Sequence, residues 1–523
     1  MSVHGRSVRG RRPSLYARNG IVATSQPLAA QAGLFILREG GNAVDAALAT
    51  AIALTVVEPT SNGLGSDTFA LVHDGATLVG LNGSGRLPRA FDPERKAPLP
   101  ESGWLPVMTP GAPRAWADLH ARFGHLPFAR LFGPAIAYAE QGYPLSPVVA
   151  HFWERAAERF QGPSFQAWQR TFLPGGFRPR PGAFWQSADL ARTLERIAAS
   201  HARDFYEGTI AHQIDQAAHA EGGWLRGEDL AGHRSEWVTP WSIVYHDHTI
   251  HELPPNSQGV VALEALGLLE PSPAGEDSAA TLHESIEAIK LAFEDALERV
   301  GDPADSDSAR GLLEPEALVR RRRALGRAPR RFDPASPFLG GTVYLASADR
   351  SGLMVSLIQS NYMGFGSGVV VPGTGIALSN RALCFGPRME GSPNRIGPLR
   401  RSYHTLMPGF LVSEAGLLGP FGVMGGFMQP QGHLQIIQAL VDRGLDPQSA
   451  VDEPRWRWDG GLHVAIEPDF PPEAAETLAA AGHEVIRTDS GFGFGRAQIV
   501  LRLPGGGFVA GSDSRADGLA VGY

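Results

Sequence analysis

One short stretch, Gly340-Gly341-Thr342, combines the groups that a self-cleaving peptide bond requires. Glycine has no Cβ, so the carbonyl of Gly341 can be approached from either face, and the hydroxyl of Thr342 is available to attack it. After cleavage, Thr342 would be a new N-terminus, and a threonine activated by its own α-amine is an established nucleophile–base pair. Such an amine has an unperturbed pKa of about 7.7–8.0, so it can exchange a proton near neutral pH. The uncut chain is therefore predicted to be a proenzyme.

The same residues also fit an ordinary loop that enters a strand, which is the commoner structure on turn chemistry alone. The residues before them, 327–338, are rich in proline, and the residues after them, 343–347, have the composition of a strand. Segment 320–331 is strongly basic. Because isolated charge runs are usually solvated, we interpret this segment as an exposed tether ahead of the cleavage point and not as a nucleic-acid contact.

The overall composition is that of an ordinary soluble globular protein. Of 523 residues, 43% are hydrophobic and 19% are charged, which suffices for a large core and, by length alone, about three domains. The formal net charge of −8 argues against a nucleic-acid partner. A lone cysteine, Cys384, excludes an internal disulfide framework and a zinc-finger type of site. The N-terminus lacks an apolar signal core and the longest apolar stretch, 46–57, is too short to span a bilayer, so we expect a cytoplasmic protein with no membrane partner.

Hydrophobic periodicity predicts helices and strands on both sides of the Gly340–Thr342 stretch. Residues 20–24 and 68–73 have strand patterns, residues 237–252 are mostly strand, and 349–352 is typical of a hairpin turn. Helices are predicted over 26–38, 282–300 and 429–443, and a helix over 41–57 that is apolar nearly all round should be buried. These elements indicate a mixed α/β protein.

The histidine and glycine motifs elsewhere in the chain favour no metal or cofactor. The histidines of segment 246–251 do not share one face of a strand, so a metal site there is the weaker interpretation. His283-Glu284 begins like the zinc-binding pattern H-E-x-x-H, but Glu287 stands where the second histidine belongs, so we expect a helix surface. The glycines of 364–368 lack dinucleotide-binding spacing, and there is no G-x-S-x-G nucleophile elbow. Gly425-Gly426 at a helix start can form an oxyanion hole or simply permit a turn.

Several blocks in a fixed order carry a resemblance to a known family. They are 40–46, 57–59, 63–65, 254–259, 373–376, 425–426 and 512–515. Over residues 20–523 the chain resembles the γ-glutamyltransferase (γ-glutamyltranspeptidase) family of N-terminal-nucleophile hydrolases. The resemblance implies an α/β (α+β) fold, a four-layer αββα sandwich, cut into a large chain of residues 1–341 with a basic, proline-rich tail (320–341) and a small catalytic chain of residues 342–523. It also implies a small-molecule amide substrate and no cofactor, and it allows a homodimer of such heterodimers.

The resemblance assigns the catalytic roles to four positions. Thr342 matches the nucleophile, Ser360 a second hydroxyl that hydrogen-bonds it, and Gly425 and Gly426 the oxyanion-hole pair. The reaction implied is attack on an amide, formation of an acyl-threonine intermediate, and release to water or to an amine.

The substrate-binding positions depart from the family pattern. Ser84 takes the place of an arginine that grips the α-carboxylate of a γ-glutamyl group, and Arg86 lies two residues later. Cys384 replaces the aspartate that holds the α-amine, and Phe427 follows the glycine pair where relatives often have a polar residue. The candidate substrate contacts are then Arg86, Tyr344, Arg381, His404 and Thr405.

Three functions stay open on the sequence alone. Because the ionic anchors of a glutamyl group are missing in their usual form and arginine binds carboxylates bidentately, we expect an acyl group that carries a carboxylate, either γ-glutamyl or a related non-glutamyl group. Oxamate or an acylated β-lactam are alternatives of this kind, since the family includes such drift. An uncleaved pseudo-enzyme that serves as a scaffold is the competing class.

Overall fold

The computed structural model describes residues 12–270, 279–326, 328–334, 340–386, 389–413, 416 and 418–523. Its strands are, in chain order, β1 (Leu15–Ala17), β2 (Gly20–Thr24), β3 (Asp67–Asp74), β4 (Leu78–Gly83), β5 (Tyr143–Pro144), β6 (Phe184–Trp185), β7 (Glu236–Val238), β8 (Trp241–Tyr245), β9 (His248–Glu252), β10 (Gly341–Asp349), β11 (Leu353–Tyr362), β12 (Val370–Val371), β13 (Ile376–Ala377), β14 (Gly409–Ser413), β15 (Leu418–Met424), β16 (Trp456–Gly460), β17 (His463–Ile466), β18 (Glu484–Arg487), β19 (Arg496–Arg502), β20 (Phe508–Ser512) and β21 (Leu519–Gly522).

The α-helices of the described residues occur on both sides of the Gly341–Thr342 bond. They are α1 (Pro27–Arg38), α2 (Ala43–Val57), α3 (Ala112–Phe123), α4 (Gly133–Gln141), α5 (Pro147–Arg159), α6 (Gln166–Phe172), α7 (Ala188–Ser200), α8 (Arg203–Glu207), α9 (Thr209–Ala220), α10 (Gly227–Gly232), α11 (Gly259–Leu269), α12 (Ala279–Arg299), α13 (Pro315–Arg322), α14 (Met428–Val441), α15 (Pro447–Asp452) and α16 (Pro472–Ala481). None of the described helices is long and apolar enough to cross a membrane.

Two seven-stranded sheets form the centre of the protein. One has the order β1-β20-β19-β15-β14-β9-β8, and the other has the order β21-β2-β10-β11-β3-β4-β7. Side chains of both sheets share one buried cluster, with Ile358 and Met354 from the second sheet beside Phe410 and Val500 from the first. The two sheets therefore pack face to face, as in a sandwich.

Helices cover the outer face of each sheet. The cluster that includes Val343 and Leu357 also holds α2, which is buried at every one of its 15 residues, as predicted from its all-round apolar pattern. On the other side, Phe421 and Ile499 pack with residues of α11, α12 and α14. The predicted four-layer αββα sandwich is therefore confirmed.

The nucleophile candidate lies at the start of the central hairpin β10–β11. These two strands pair antiparallel, with Gly341 opposite Tyr362, and the register shifts between Gly341 and Val343. The predicted turn is confirmed, since Gly352 N–H donates to Asp349 O at 3.0 Å and Gly352 has a φ of +94°. A hairpin held between β2 and β3 gives Thr342 a rigid support.

The basic segment ahead of β10 differs from the predicted exposed tether. Its first part belongs to α13, where Arg321 pairs with Glu294 at 2.6 Å and Arg322 donates to the carbonyl oxygen of Leu268 at 2.8 Å. Residues 328–334 have no regular structure but also bind the protein, because Arg330 pairs with Glu294 at 2.9 Å. The expectation of an exposed tether was wrong for Arg321, Arg322 and Arg330, whose guanidinium groups bind carboxylates or carbonyl oxygens of the protein. Residues 327 and 335–339 lie outside the described residues.

Candidate active site

The hydroxyl of Ser360 connects the candidate nucleophile with the bond ahead of it. It accepts from Thr342 Oγ1 at 3.3 Å and from Tyr362 N–H at 2.7 Å, and it donates to the carbonyl oxygen of Gly341 at 2.5 Å. Both Thr342 and Ser360 are buried, so water does not compete for these contacts. Ser360 is therefore placed to polarise the Gly341 carbonyl and to orient the hydroxyl beside it.

Gly341 fits a space that admits no larger residue. A Cβ added there would lie 2.9 Å from the amide nitrogen of Gly364 and 3.3 Å from the carbonyl oxygen of Thr60. Its strand partner Tyr362 has a φ of +74°, a sparsely populated conformation for a residue with a side chain. Backbone of this kind is held by its surroundings and often occurs at functional sites.

Gly425 and Gly426 turn the chain between β15 and α14, with φ values of +135° and +61° that favour glycine. Gln258 fixes this turn because its Nε2 donates to the carbonyl oxygens of Gly426 at 3.0 Å and of Thr405 at 2.7 Å. A Cβ added to Gly340 would lie 3.0 Å from Gly426 Cα. In the uncut chain Gly340, which precedes Gly341, therefore occupies the space beside Gly425 and Gly426.

Arg381 is fully buried and reaches this region from the far side of Tyr362. Its guanidinium lies over the Tyr362 ring, 4.7 Å from the centroid. Nη1 donates to Thr405 Oγ1 at 3.0 Å, and Nε lies 3.8 Å from the Asp67 carboxylate. Among the described residues, Nη2 has no hydrogen-bond partner. A buried cation with donors to spare suits an anionic group of a substrate.

His404 and Asp67 form a buried pair next to Arg381. His404 Nδ1 accepts from Leu406 N–H at 3.2 Å, so Nε2 carries the proton and donates to Asp67 Oδ2 at 3.0 Å. Burial, with the charge of Arg381, lowers the pKa of His404 to about 4, so the imidazole is neutral at pH 7. Burial raises the pKa of Asp67, but the hydrogen bond from His404 and the charge of Arg381 outweigh it and leave the carboxyl ionised.

Comparison with known proteins decides the family. Residues 29–523 match the sequence profile of the family described as gamma-glutamyltranspeptidase. The chain belongs to the γ-glutamyltranspeptidase family. The members of this family are hydrolases and acylases of the N-terminal-nucleophile type with a threonine nucleophile, so the predicted family and enzyme class are confirmed.

Relatives in this family carry different names over nearly the same length. The chain is 33% identical to the oxamate amidohydrolase proenzyme of Klebsiella pneumoniae over 97% of its own length and 98% of the relative. It is 34% identical to the glutathione hydrolase-like YwrD proenzyme of Bacillus subtilis, over 97% and 99%. Among solved structures, cephalosporin acylase from Bacillus halodurans is 47% identical, with a TM-score of 0.95 and coverage of 100% of this chain and 99% of that one.

Two predicted substrate contacts do not lie where the sequence suggested. Tyr344 is buried in the cluster between the sheets, where its hydroxyl lies 2.8 Å from Ser356 Oγ, so it is a core residue. Arg86 is partly exposed, pairs with Glu236 at 3.2 Å and donates to the carbonyl oxygen of Leu399 at 3.0 Å. Neither side chain contacts Thr342 in the described structure.

The remaining departures from the γ-glutamyltranspeptidase pattern have local reasons. Ser84 is buried and its hydroxyl donates to Asn82 Oδ1 at 2.7 Å. Cys384 Sγ lies 3.7 Å from Arg381 Nη1, and burial raises the pKa of this thiol, which stays neutral. Phe427 stacks on Tyr403 with ring centroids 5.7 Å apart, so an apolar residue fits after the glycine pair. These positions supply no acidic group for a substrate amine.

Sequence reasoning missed the residues that hold the glycine turn from behind. His433 on α14 accepts from Val423 N–H at 3.1 Å, just before Gly425, and its Nδ1 lies 2.6 Å from Glu252 Oε1. Burial lowers the pKa of His433 to about 3, so its Nε2 is available as an acceptor. Because Glu252 and His433 are 181 positions apart, no local pattern in the sequence could have paired them.

Proposed function

We propose that this protein is a proenzyme that cleaves itself between Gly341 and Thr342 and then uses Thr342 to hydrolyse amides whose acyl group carries a carboxylate. The observation that carries the proposal is the contact of Ser360 with both the Thr342 hydroxyl and the Gly341 carbonyl oxygen. The position of Gly340 against Gly426 supports it further, because cleavage would free the space beside the glycine pair for a substrate.

Self-cleavage proceeds through an ester. The Thr342 Oγ1 attacks the carbonyl carbon of Gly341, and the hydroxyl of Ser360 donates to the developing oxyanion. The C–N bond breaks as its nitrogen takes the proton that Oγ1 loses on attack, which leaves the Gly341 acyl group on Oγ1 and a free amine on Thr342. Water then hydrolyses the ester and releases a carboxylate at Gly341. A hydrogen-bond donor to the oxyanion, here the hydroxyl of Ser360, typically contributes ~10²–10³ in rate.

Amide hydrolysis repeats the same chemistry on a substrate. The α-amine of Thr342 takes the proton of Oγ1 as Oγ1 attacks the substrate carbonyl, and it returns that proton to the leaving amine. The amides of Gly425 and Gly426 stabilise the oxyanion, and an acyl-threonine forms. Water, or an acceptor amine, then takes the acyl group and restores Thr342.

Arg381 supports a carboxylate on the acyl group. Its guanidinium is fully buried, is stacked on Tyr362 and keeps Nη2 without a hydrogen-bond partner among the described residues. Asp67 is engaged by His404, and Cys384 is neutral, so neither residue offers an equivalent partner for the ammonium of a γ-glutamyl group. The oxamate ion, the substrate in the name of one relative, carries a carboxylate beside its amide, in line with this proposal.

A cephalosporin with an acidic acyl side chain is the second candidate substrate. It is favoured by the 47% identity to cephalosporin acylase from Bacillus halodurans over the whole chain. Both candidates place a carboxylate on the acyl group, and they differ in the size of the amine that leaves.

The test is a substrate panel on the purified protein. Electrophoresis and mass spectrometry should first show two chains that divide at Gly341–Thr342; a single intact chain of 55.8 kDa would favour the scaffold function. Amine or ammonia release is then measured for oxamate, a carboxylated acyl-cephalosporin, γ-glutamyl-p-nitroanilide and a neutral acyl amide. The γ-glutamyl compound carries an ammonium beside its carboxylate, so the proposal expects turnover of oxamate or of the acyl-cephalosporin well above that of the γ-glutamyl compound and of the neutral amide. It is wrong if the γ-glutamyl compound is the best substrate.

A further inference from the structure

Two histidines and a glutamate that are remote in sequence meet beneath the segment that precedes the cleavage point. His283 and Glu287 are one turn apart on α12, and His483 lies between α16 and β18. Their ligand atoms are within 4.8 Å of one another and all three residues are buried, an arrangement that occurs once among the described residues. The expected helix surface at His283 was therefore wrong. The second histidine missing from the H-E-x-x-H pattern is supplied by His483, 200 positions later.

The hydrogen bonds fix the tautomer of His283. A carbonyl oxygen only accepts, so His283 Nε2 carries a proton and donates to Gly326 O at 2.9 Å. Its Nδ1 then keeps a lone pair, which accepts a hydrogen bond from His483 Nε2–H at 2.9 Å. Histidines that bind metals are held in this way, with the other ring nitrogen donating to a carbonyl or a carboxylate.

His483 is also prepared as a ligand. Its Nδ1 has no hydrogen-bond partner among the described residues. Nδ1 can therefore hold the single ring proton, which leaves the Nε2 lone pair for a metal.

Glu287 supplies the anionic oxygen. Its Oε1 accepts from Lys290 Nζ at 2.7 Å and its Oε2 accepts from Arg330 N–H at 2.9 Å, so the carboxylate is fixed by two donors. Each carboxylate oxygen has a second lone pair for a metal.

We propose that His283, Glu287 and His483 bind one divalent ion of the zinc type. Zn²⁺ takes imidazole nitrogens at about 2.0–2.1 Å and carboxylate oxygens at about 2.0–2.2 Å, with water as the fourth ligand. The two facing nitrogens must separate by a few tenths of an ångström from 2.9 Å, and the carboxylate must move closer. Two nitrogens and one oxygen suit Zn²⁺ or Co²⁺ and not Mg²⁺ or Ca²⁺, which prefer oxygen.

The ion would join the two chains of the mature protein. His283 and Glu287 belong to residues 1–341, whereas His483 belongs to residues 342–523. Gly326 and Arg330, which hold His283 and Glu287, are in the last part of the large chain. This joining role rests on the proposed cleavage, but ion binding itself does not depend on it.

Titration of chelator-treated, dialysed protein with ZnSO₄ tests the site. Calorimetry should show one Zn²⁺ per chain, and His283→Gln and His483→Gln should each weaken binding at least tenfold. His463→Gln is the matched control, because His463 also lies next to a carboxylate (Glu484, 2.9 Å) but has a 54% exposed side chain. Absence of stoichiometric binding, or cluster variants that bind Zn²⁺ as tightly as the unmodified protein, would overturn the proposal.

Two further measurements protect this result against misfolded variants and against failure of cleavage. Co²⁺ added to the unmodified protein should give the strong visible absorption of a four-coordinate site; only the weak absorption of six-coordinate Co²⁺ would contradict the site. The uncut Thr342→Ala protein should bind Zn²⁺ as tightly as the cleaved protein. If that variant binds Zn²⁺ but the unmodified chain never divides, the proposed function fails and the metal site stands.

In the cleaved protein, Zn²⁺ should raise the melting temperature and slow separation of the chains. No change in either quantity would rule out the joining role.

Discussion

The hydroxyl of Ser360 donates to the carbonyl oxygen of Gly341 at 2.5 Å from the neighbouring strand of the same hairpin. Ser360 Oγ also accepts from Thr342 Oγ1, so one side chain contacts both partners of the proposed self-cleavage reaction. This arrangement exists in the uncut chain, before the amine of Thr342 is available as a base. In the proposed mechanism, self-cleavage therefore depends on the hairpin β10–β11 and not on the later active site.

Replacement of Ser360 by alanine should slow self-cleavage by ~10²–10³, because the oxyanion at Gly341 loses its donor. Ser356→Ala is the matched control, since Ser356 is buried on the same strand but contacts the Tyr344 hydroxyl. The rate is measured by mass spectrometry of freshly purified protein over time. Equal cleavage rates of the two variants would remove Ser360 from the mechanism.

Replacement of Thr342 by alanine should abolish cleavage, because alanine has no side-chain oxygen that could attack the Gly341 carbonyl. Thr342→Ser keeps the oxygen and should cleave, but more slowly, since the methyl group that restrains the side chain is gone. Intact mass reports both results. A Thr342→Ala protein that still divides at the same bond would disprove the proposed nucleophile.

Gly341→Ala should slow cleavage by about 10², because a Cβ 2.9 Å from Gly364 N forces the scissile carbonyl to shift from its place beside Ser360. Gly133→Ala serves as the control, because a Cβ there meets nothing within 4 Å. Cleavage of Gly341→Ala at the normal rate would show that the close approach of Gly364 does not fix the carbonyl.

The sequence predicted the parts of this protein that depend on local pattern. The all-round apolar helix α2, the strand after Thr342 and the turn at Gly352 follow from residues adjacent in the chain. The surroundings of the Tyr344 side chain could not be predicted in this way, because strand alternation does not show whether one face of a strand meets substrate or a second sheet. Cleavage at Gly341, the homodimer of heterodimers and the cytoplasmic location stay predictions.

Pairs brought together by the sandwich were out of reach of sequence reasoning. Asp67 and His404 are 337 positions apart, and His283 and His483 are 200 apart, yet each pair is in hydrogen-bond contact. Local spacing carries no information on such contacts. For this reason the incomplete zinc pattern at His283 was interpreted as a surface, and the engagement of Asp67 by His404 was not foreseen.

Arg381→Gln should lower kcat/KM for a carboxylated amide by about tenfold to a hundredfold, the usual effect of losing a charged hydrogen bond, and change a neutral amide far less. Arg86→Gln is the control, since Arg86 is partly exposed and paired with Glu236. Melting temperatures separate this effect from loss of structure, because Arg381 also contacts Thr405. An equal loss with charged and neutral substrates would mean that Arg381 acts only through the fold.

Acid should destabilise the protein through His404, and the sign follows from its pKa. Burial and Arg381 lower that pKa from 6.5 to about 4, so between these values the unfolded chain binds more protons than the folded one. The contribution is fully present above pH 6.5 and is lost as the pH falls towards 4, by up to about 3 kcal/mol. His404→Gln keeps a donor for Asp67 but does not titrate, so its melting temperature should fall less than that of the unmodified protein between pH 6.5 and 4.5. The charged groups that face this ring, Asp67, Arg381 and Arg401, are the same in the variant and in the unmodified protein. If the melting temperature falls equally in the two proteins, His404 is not the group that titrates.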